Sequence, residues 1–283
     1  MTVRPAPAGQ GIVFRRMDVT GHDPVVPALW DRVIVSPLNT RIANADGVSV
    51  STVEHLMAAL VGTGLHNATV EIDGPEVPIM DGSAVEFVRG LVAAGQRQLP
   101  DPLFAIRILR PVVVRQGVAE ARLDPATTLQ IDFEIDFPDR AIGRQHRVLD
   151  LSNGAFVREL ASSRTFCRQS DVAEMQARGL ALGGTLLNAV VVDGDAVLTP
   201  GGLRHPDEAV RHKMLDALGD LAMAGMPILG RYAGVRAGHA MTNRLLRALF
   251  DTPDAWRIVR VDRRTRARLP GAGVTGADLT AVA

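Results

Sequence analysis

The chain has 283 residues, 47% hydrophobic but only 4% aromatic, so two domains of ordinary size with cores of Ala, Val, Leu and Ile are expected. Its 31 basic and 31 acidic residues cancel, which leaves no electrostatic footprint for nucleic acid. A single cysteine, Cys167, excludes an internal disulfide; the polar, proline-rich "MTVRPAPAGQ" is unlike a secretory leader, and no apolar run nears the ~20 residues of a membrane span, so a soluble, cytoplasmic protein is expected.

In chain order, the β-branched runs "GIVF", "RVIVS", "ATVEID", "RPVVVR", "LQIDFEIDF", "NAVVVDGD" and "AVLT" predict strands. Helical patterns are interleaved over 52–61, 84–94, 154–161, 170–178, 207–224 and 240–250. Regular β-α-β alternation is too sparse for a doubly wound sheet, so the fold class reads as α+β. "LPDPL" at 99–103 follows a helix, carries two prolines and precedes a strand, which places a domain boundary near 102. The units expected are 1–102, 103–260 and a flexible tail, 261–283. The run "RIVRVDRRTRAR" reads as a solvated terminus or, more sharply, as a weak attractor of anionic lipid headgroups.

Of the 31 basic residues a single one, Lys213, is lysine. It lies in the helix "HPDEAVRHKMLDALGDLAMAG". Asp207 and Glu208 sit at that helix's dipole-positive start, and Gly225 and Pro227 stop it. Val210, Met214, Leu218, Leu221 and Ala222 form its apolar stripe. His212, Asp216 and Asp220 follow one another at intervals of four and stack on another face. A histidine and an aspartate at i and i+4 can reach one metal ion, and nitrogen with carboxylate oxygen suits zinc. The plain alternative is a polar solvent face. Arginine bias acts on every tolerant position, so a lone lysine between two ligand types marks a place where the wide guanidinium does not fit.

A second helix start, "SVSTVEHLMAALVGTG", carries Glu54 and His55. Glu54 reads either as the return half of a capping box with Ser51 or as a carboxylate beside a third metal ligand. Two histidines and one aspartate would leave a fourth position open, as catalytic zinc sites do. "VRAGHAMTN" puts His239 at a strand-to-helix turn. "EVPIMDGSA" puts Asp81 at the tip of an Asp-Gly turn. "ASSRTFCRQSDV" puts Thr165 and Phe166 after a helix, beside Arg164.

The words "STVEHLMAAL", "EVPIMDGSA", "SRTF", "GLALGG" followed by "NAVVVDGD", "VRHKMLDALGDL" and "AGHAMTN", in this order, resemble the zinc-dependent UDP-3-O-acyl-N-acetylglucosamine deacetylases of lipid A synthesis, from about residue 2 to 257. The resemblance implies two α+β domains, each a sheet layered on helices, with the active site at their interface. It implies zinc held by His55, His212 and Asp216, with iron(II) as the alternative metal. Glu54 matches the general base, His239 the acid that protonates the leaving amine, and Asp220 the carboxylate that orients it. Lys213 and Thr165 match groups that hold the reacting carbonyl oxygen. Asp81, Phe166, Gly184 and Arg236 match substrate-contacting positions, with Phe166 and "GLALGG" along the acyl passage. The reaction implied is hydrolysis of the N-acetyl group, giving acetate and a free amine.

The sequence departs from the family pattern in three places. It lacks the usual first strand and its Gly-Leu-His turn. No lysine stands near Gly117 to reach the nucleotide, and Arg168 replaces an apolar residue by the acyl passage. These departures leave two other readings: a shortened non-catalytic paralogue binding a sugar nucleotide or partner, and a zinc amidase for another N-acetyl sugar. The partner expected is a small-molecule UDP-sugar with a fatty acyl chain. Transient contact with the inner-membrane surface is compatible with that substrate, and neither nucleic acid nor an obligate protein partner is expected.

Overall fold

A computed structural model describes residues 1–177, 179 and 183–280. Its first 77 residues hold two sheets. In "ATVEI" the residues Ala68, Val70 and Ile72 are buried while Thr69 and Glu71 point outward, the period-2 alternation of a half-covered strand. That strand, Ala68–Ile72, pairs antiparallel with Thr2–Pro5 and parallel with Ile12–Arg16, which in turn pairs with Val25–Pro27. A small sheet of Val33–Ile34, Arg41–Ala43 and Ser49–Val50 leads into helix α1, Glu54–Gly62. Nearly every residue of α1 is buried, including Glu54 and His55, so it is enclosed on all sides rather than amphipathic. Helix α2, Val85–Ala94, is amphipathic and buries Val85, Phe87, Val88 and Leu91.

The larger sheet lies between residues 104 and 260. Its order is Arg144–Asp150, Leu129–Asp136, Ile228–Val235, Ala119–Pro125 and Val112–Gln116, with Phe104–Ile108 joining Ile228–Val235 and pairing on its other side with Trp256–Arg260. Leu129, Ile131, Phe133 and Ile135 form the inward face of one central strand. Ahead of the long helices come α3, Ala155–Glu159, and α4, Gln169–Ala177. The latter lies beside a three-stranded sheet of Phe166–Arg168, Val190–Asp193 and Ala196–Val197. Helices α5, Glu208–Leu221, and α6, His239–Phe250, pack on each other and on the large sheet. The mixed α+β class is as the sequence indicated.

One contact positions everything that follows. Helix α1 lies along α5, and one hydrophobic cluster runs through both sheet systems. The approach is close at Gly219. A Cβ there would stand 2.0 Å from the Glu54 carbonyl oxygen, so any side chain would push the helices apart.

The helices predicted from sequence are all present within a few residues. Several strands were not anticipated. Arg144–Asp150 is a polar edge strand, Ala119–Pro125 carries alternating charges, and Ile228–Val235 is interrupted by glycines. The arginine-rich segment expected to be solvated begins as strand Trp256–Arg260. Beyond it, Leu269 is buried with Ala105, Leu229 and Val261, and Arg158 pairs with Asp278 at 2.7 Å. Gly271 packs so tightly on Gly64 that a Cβ would meet its backbone nitrogen at 2.1 Å. The described part of this end is therefore docked.

Candidate metal centre and active site

The first turn of α1 and one face of α5 meet at His55, His212 and Asp216, all buried, with ligand atoms within 4.8 Å of one another. The i, i+4 spacing on α5 stacks His212 over Asp216. Asp216 Oδ1 lies 3.3 Å from His212 Nε2 and 3.5 Å from His55 Nε2. His212 Nδ1 lies 3.0 Å from the Ser163 carbonyl oxygen. A carbonyl accepts only, so Nδ1 carries the proton and the Nε2 lone pair faces Asp216. Asp216 Oδ1 is buried and has no hydrogen-bond partner, which is costly for a carboxylate oxygen unless a cation stands beside it. Burial holds the His212 imidazole down at about 4, against the pull of Asp216, so it is neutral and able to ligate. Burial would raise the Asp216 carboxyl, but the charged Lys213 and His239 help outweigh it and the group is held well below the usual carboxylate range. Two imidazoles and one anionic oxygen turned toward one point fit a divalent metal.

Around this trio stand the other predicted residues. Lys213 Nζ donates to Asp216 Oδ2 at 2.7 Å. Burial would lower its ammonium, yet Asp216, Asp220 and Glu54 keep it raised and charged. Glu54 forms no capping box. Its Oε2 accepts from the Thr40 backbone N–H at 3.0 Å, while the Ser51 N–H goes to the Pro75 carbonyl. Burial raises the Glu54 carboxyl, partly offset by His239 and His55. His239 opens α6, with Nδ1 2.9 Å from Asp220 Oδ2 and Nε2 4.0 Å from Glu54 Oε1. Burial would lower this imidazole, but Asp220 and Asp216 outweigh it and push it up to about 9. Both shifts are upward: the imidazole is held protonated, as a proton donor must be, and the raised carboxyl is the stronger base for it.

The segment 162–166 forms the third wall. Ser163 supplies the carbonyl for His212. Thr165 is fixed by backbone bonds to Gly82 and Val190, and the Phe166 ring packs edge-on at 6.3 Å from the His212 ring. Arg164 holds the segment in place: its backbone N–H and guanidinium both donate to Glu208, buried at the start of α5.

The remaining predicted residues stand apart from this cluster. Asp81 accepts from the backbone and hydroxyl of Ser83 and pairs with Arg204 at 2.8 Å, as an Asp-Gly turn with an added ion pair. Arg236 pairs with Asp136 on the surface, and Gly184 is exposed. Gly117 occupies a hairpin turn at φ +57° with open space around it. The Arg168 charge is matched by Asp139 and Asp171. Of "GLALGG", residues 180–182 lie outside the described residues. A large groove, about 1810 Å³, is lined by other residues of α1 and α5, such as Leu56, Met57, Leu218 and Leu221, and by none of Glu54, His55, His212, Lys213, Asp216, Asp220 and His239.

Sequence reasoning missed Thr40 and Ser163, which act through backbone atoms and carry no side-chain signature. Thr40 also uses its hydroxyl, which donates to Asp220 Oδ1 at 2.5 Å, so one residue touches both the Glu54 and the Asp220 carboxylates. Glu208, read only as a dipole-matched helix start, is the anchor of Arg164.

Residues 1–251 match the family described as "LpxC: UDP-3-O-acyl N-acetylglycosamine deacetylase". The chain belongs to this family. It is 52% identical to the UDP-3-O-acyl-N-acetylglucosamine deacetylase of Phenylobacterium zucineum over 91% of this chain and 88% of that protein. Identity to the enzyme of the same name from Anaeromyxobacter sp. is 47%, over 95% of this chain and 88% of the relative. For that of Shewanella loihica it is 43%, over 99% and 92%. The LpxC family is one of metal-dependent deacetylases, which agrees with the buried His-His-Asp trio.

Proposed function

We propose that the chain hydrolyses the N-acetyl group of UDP-3-O-acyl-N-acetylglucosamine in lipid A synthesis, releasing acetate and a free glucosamine amine. Family membership supports the reaction class. The observation that carries the site is the unpartnered Asp216 Oδ1 facing two imidazole nitrogens, with Glu54 and His239 on either side.

His55, His212 and Asp216 would hold the metal, zinc by their chemistry and iron(II) as the alternative. When bound, the metal supplies Lewis acidity that polarises the amide carbonyl and lowers the pKa of water beside it. Glu54 takes the proton of the attacking water at Oε1, while the Thr40 N–H fixes its other oxygen. Lys213, anchored on Asp216, and Thr165 face the charge that develops on the carbonyl oxygen. His239 delivers the proton from Nε2 to the departing amine, with Asp220 holding Nδ1. Nε2 and Glu54 Oε1, 4.0 Å apart, are beyond direct hydrogen-bond distance, so the acid and the base do not share one proton. Phe166 lines the side from which the acyl chain enters; Asp81, Gly184 and Arg236 act further out, through loops that shape the approach.

The site lies between two layered units that divide near residue 102. Among the described residues no helix is long and apolar enough to cross a membrane, and the enzyme works from the cytoplasm on a lipid-bearing substrate at the inner membrane. Metal analysis tests the ligand set. Wild-type protein should hold one zinc or iron per chain, and Asp216→Ala should lose most of it; unchanged metal content would refute the assignment. Comparing acetate release from the UDP-sugar with release from the same sugar lacking UDP separates this reading from an amidase for another N-acetyl sugar.

A further inference from the structure

One residue beside the metal trio enters the reaction scheme only through its backbone. Thr40 is 3% exposed and immediately precedes strand Arg41–Ala43. Every hydrogen-bonding group it carries is committed. Its N–H donates to Glu54 Oε2 at 3.0 Å, its carbonyl accepts from the Val53 N–H at 3.3 Å, and its hydroxyl donates to Asp220 Oδ1 at 2.5 Å. The residue before it is tied down as well: Asn39 Nδ2 donates to the Thr52 hydroxyl, which in turn donates to Glu76. Thr52 sits at φ +57°, a conformation that a β-branched residue keeps only where its surroundings hold it. Thr40 is therefore a fixed point, and two carboxylates of the site lean on it.

The Asp220 carboxylate divides its oxygens between two partners. Oδ1 takes the Thr40 hydroxyl, and Oδ2 stands 2.9 Å from His239 Nδ1; these are the hydrogen bonds its side chain makes among the described residues. The terminal torsion of an aspartate is broad, so a carboxylate held at one oxygen can swing, whereas one held at both has its plane set. That plane directs the bond to Nδ1. It thereby sets where Nε2, on the far side of the ring, is placed: 3.8 Å from Asp216 Oδ2 and 4.0 Å from Glu54 Oε1. Without the hydroxyl, Oδ1 would be buried with no donor, and the carboxylate would turn to recover one, carrying the imidazole with it. A misplacement of about 1 Å at a reacting group can cost on the order of 100-fold in rate.

We propose that Thr40 is a positioning residue for the reaction. Its hydroxyl fixes the plane of Asp220, and through it the direction of His239 Nε2, while its N–H fixes Glu54, so that one residue sets the acid and the base in register. The inference rests on the deacetylase reading for the roles of Glu54 and His239. It goes beyond that reading in assigning their relative placement to a side chain 180 positions before Asp220.

Thr40→Val keeps the β-branch and the N–H to Glu54 and exchanges only the hydroxyl for a methyl group. With zinc-loaded protein and UDP-3-O-acyl-N-acetylglucosamine, it should lower kcat on the order of 10-fold, with KM within about 2-fold of wild type and metal content unchanged. Thr40→Ser, which restores the hydroxyl, should recover most of that rate. In a His239→Ala background, Thr40→Val should change the residual rate by less than about 2-fold, because its effect passes through the missing imidazole. Thr40→Ala gives the same readouts if the valine variant does not fold. NMR of histidine-labelled protein adds a measurement independent of turnover. The His239 Nδ1–H resonance, identified by its loss in His239→Ala, should shift or be lost to exchange in Thr40→Val and return in Thr40→Ser. Wild-type kcat in Thr40→Val, an undiminished effect in the His239→Ala background, or an unmoved resonance would overturn the proposal. Metal loss in step with the loss of rate would also overturn it, in favour of a purely structural threonine. If metal-loaded wild type releases no acetate, the deacetylase reading falls, and the resonance alone decides whether Thr40 holds Asp220 and His239 in place.

Discussion

Charge is handled in opposite ways at the α1–α5 crossing and at the arginine-rich edge. At the crossing, Glu54, His55, His212, Lys213, Asp216, Asp220 and His239 are drawn out of water together, and neighbours answer their charges everywhere but at Asp216 Oδ1. At the edge, the exposed Arg257, Arg260, Arg263, Arg264, Arg266 and Arg268 keep their hydration and have no ion pair among the described residues. The difference follows from desolvation. A buried charge without a partner costs several kcal/mol, so the interior must be balanced within the fold and by the metal. A hydrated charge costs little, so the surface can leave it unpaired. Charge left unmatched inside, as at Asp216 Oδ1, therefore points to a ligand more strongly than charge left unmatched outside.

Several substitutions would break or sharpen that contrast. The largest effect is expected at the buried base: Glu54→Gln should lower kcat by about 10²- to 10⁴-fold with metal content unchanged, as read by parallel kinetics and metal analysis. Next is the buried pair of Arg164 and Glu208. Glu208→Gln leaves a guanidinium without its carboxylate and should cost about 3–5 kcal/mol in urea denaturation at neutral pH. Burial raises the Glu208 carboxyl, but the bonds from Arg164 and Arg204 outweigh it and hold it below its ordinary value of 4.5. Its stabilisation is fully present above that unfolded value and is lost as pH falls through the lower folded one. The gap between wild type and Glu208→Gln should therefore narrow as pH drops below 4.5; a constant gap would contradict this origin.

Smaller effects probe packing. Gly219→Ala should force α1 from α5 and destabilise the chain by about 1–3 kcal/mol, with metal affinity falling alongside, because both sides of the site ride on that contact. An unchanged melting temperature would show that the helices can slide apart freely. Lys213→Arg keeps the charge but widens the group beside Asp216 and should lower kcat by roughly 10-fold. Wild-type turnover in that variant would make the lone lysine an accident of composition.

Much of this was legible before any coordinates. Helix positions followed from apolar periodicity and from stops such as Gly225. The i, i+4 spacing of His212 and Asp216 left a metal site and a polar solvent face both open, and the resemblance to the deacetylases is what singled out His55, His212 and Asp216. Two strands of the large sheet were not legible, because Arg144–Asp150 and Ala119–Pro125 carry charge where a covered strand would be apolar. The support of the site was hidden for a different reason. Ser163 contributes a carbonyl and Thr40 an N–H, groups every residue possesses, and Gly219 is one of 27 glycines until a helix is seen to cross it. The end beyond residue 260 reads as a tail in the sequence because its buried apolar residues, Val261, Leu269 and Pro270, are few and lie among arginines and small residues.

The central claim is that a buried carboxylate beside a His-His-Asp metal site drives amide hydrolysis. Acetate release from UDP-3-O-acyl-N-acetylglucosamine by metal-loaded wild type and Glu54→Ala, with metal content measured on the same samples, tests it most directly. Release by wild type, and its loss in the variant at equal metal content, is the result expected. No release from wild type that holds its metal, or equal release by Glu54→Ala, would contradict it.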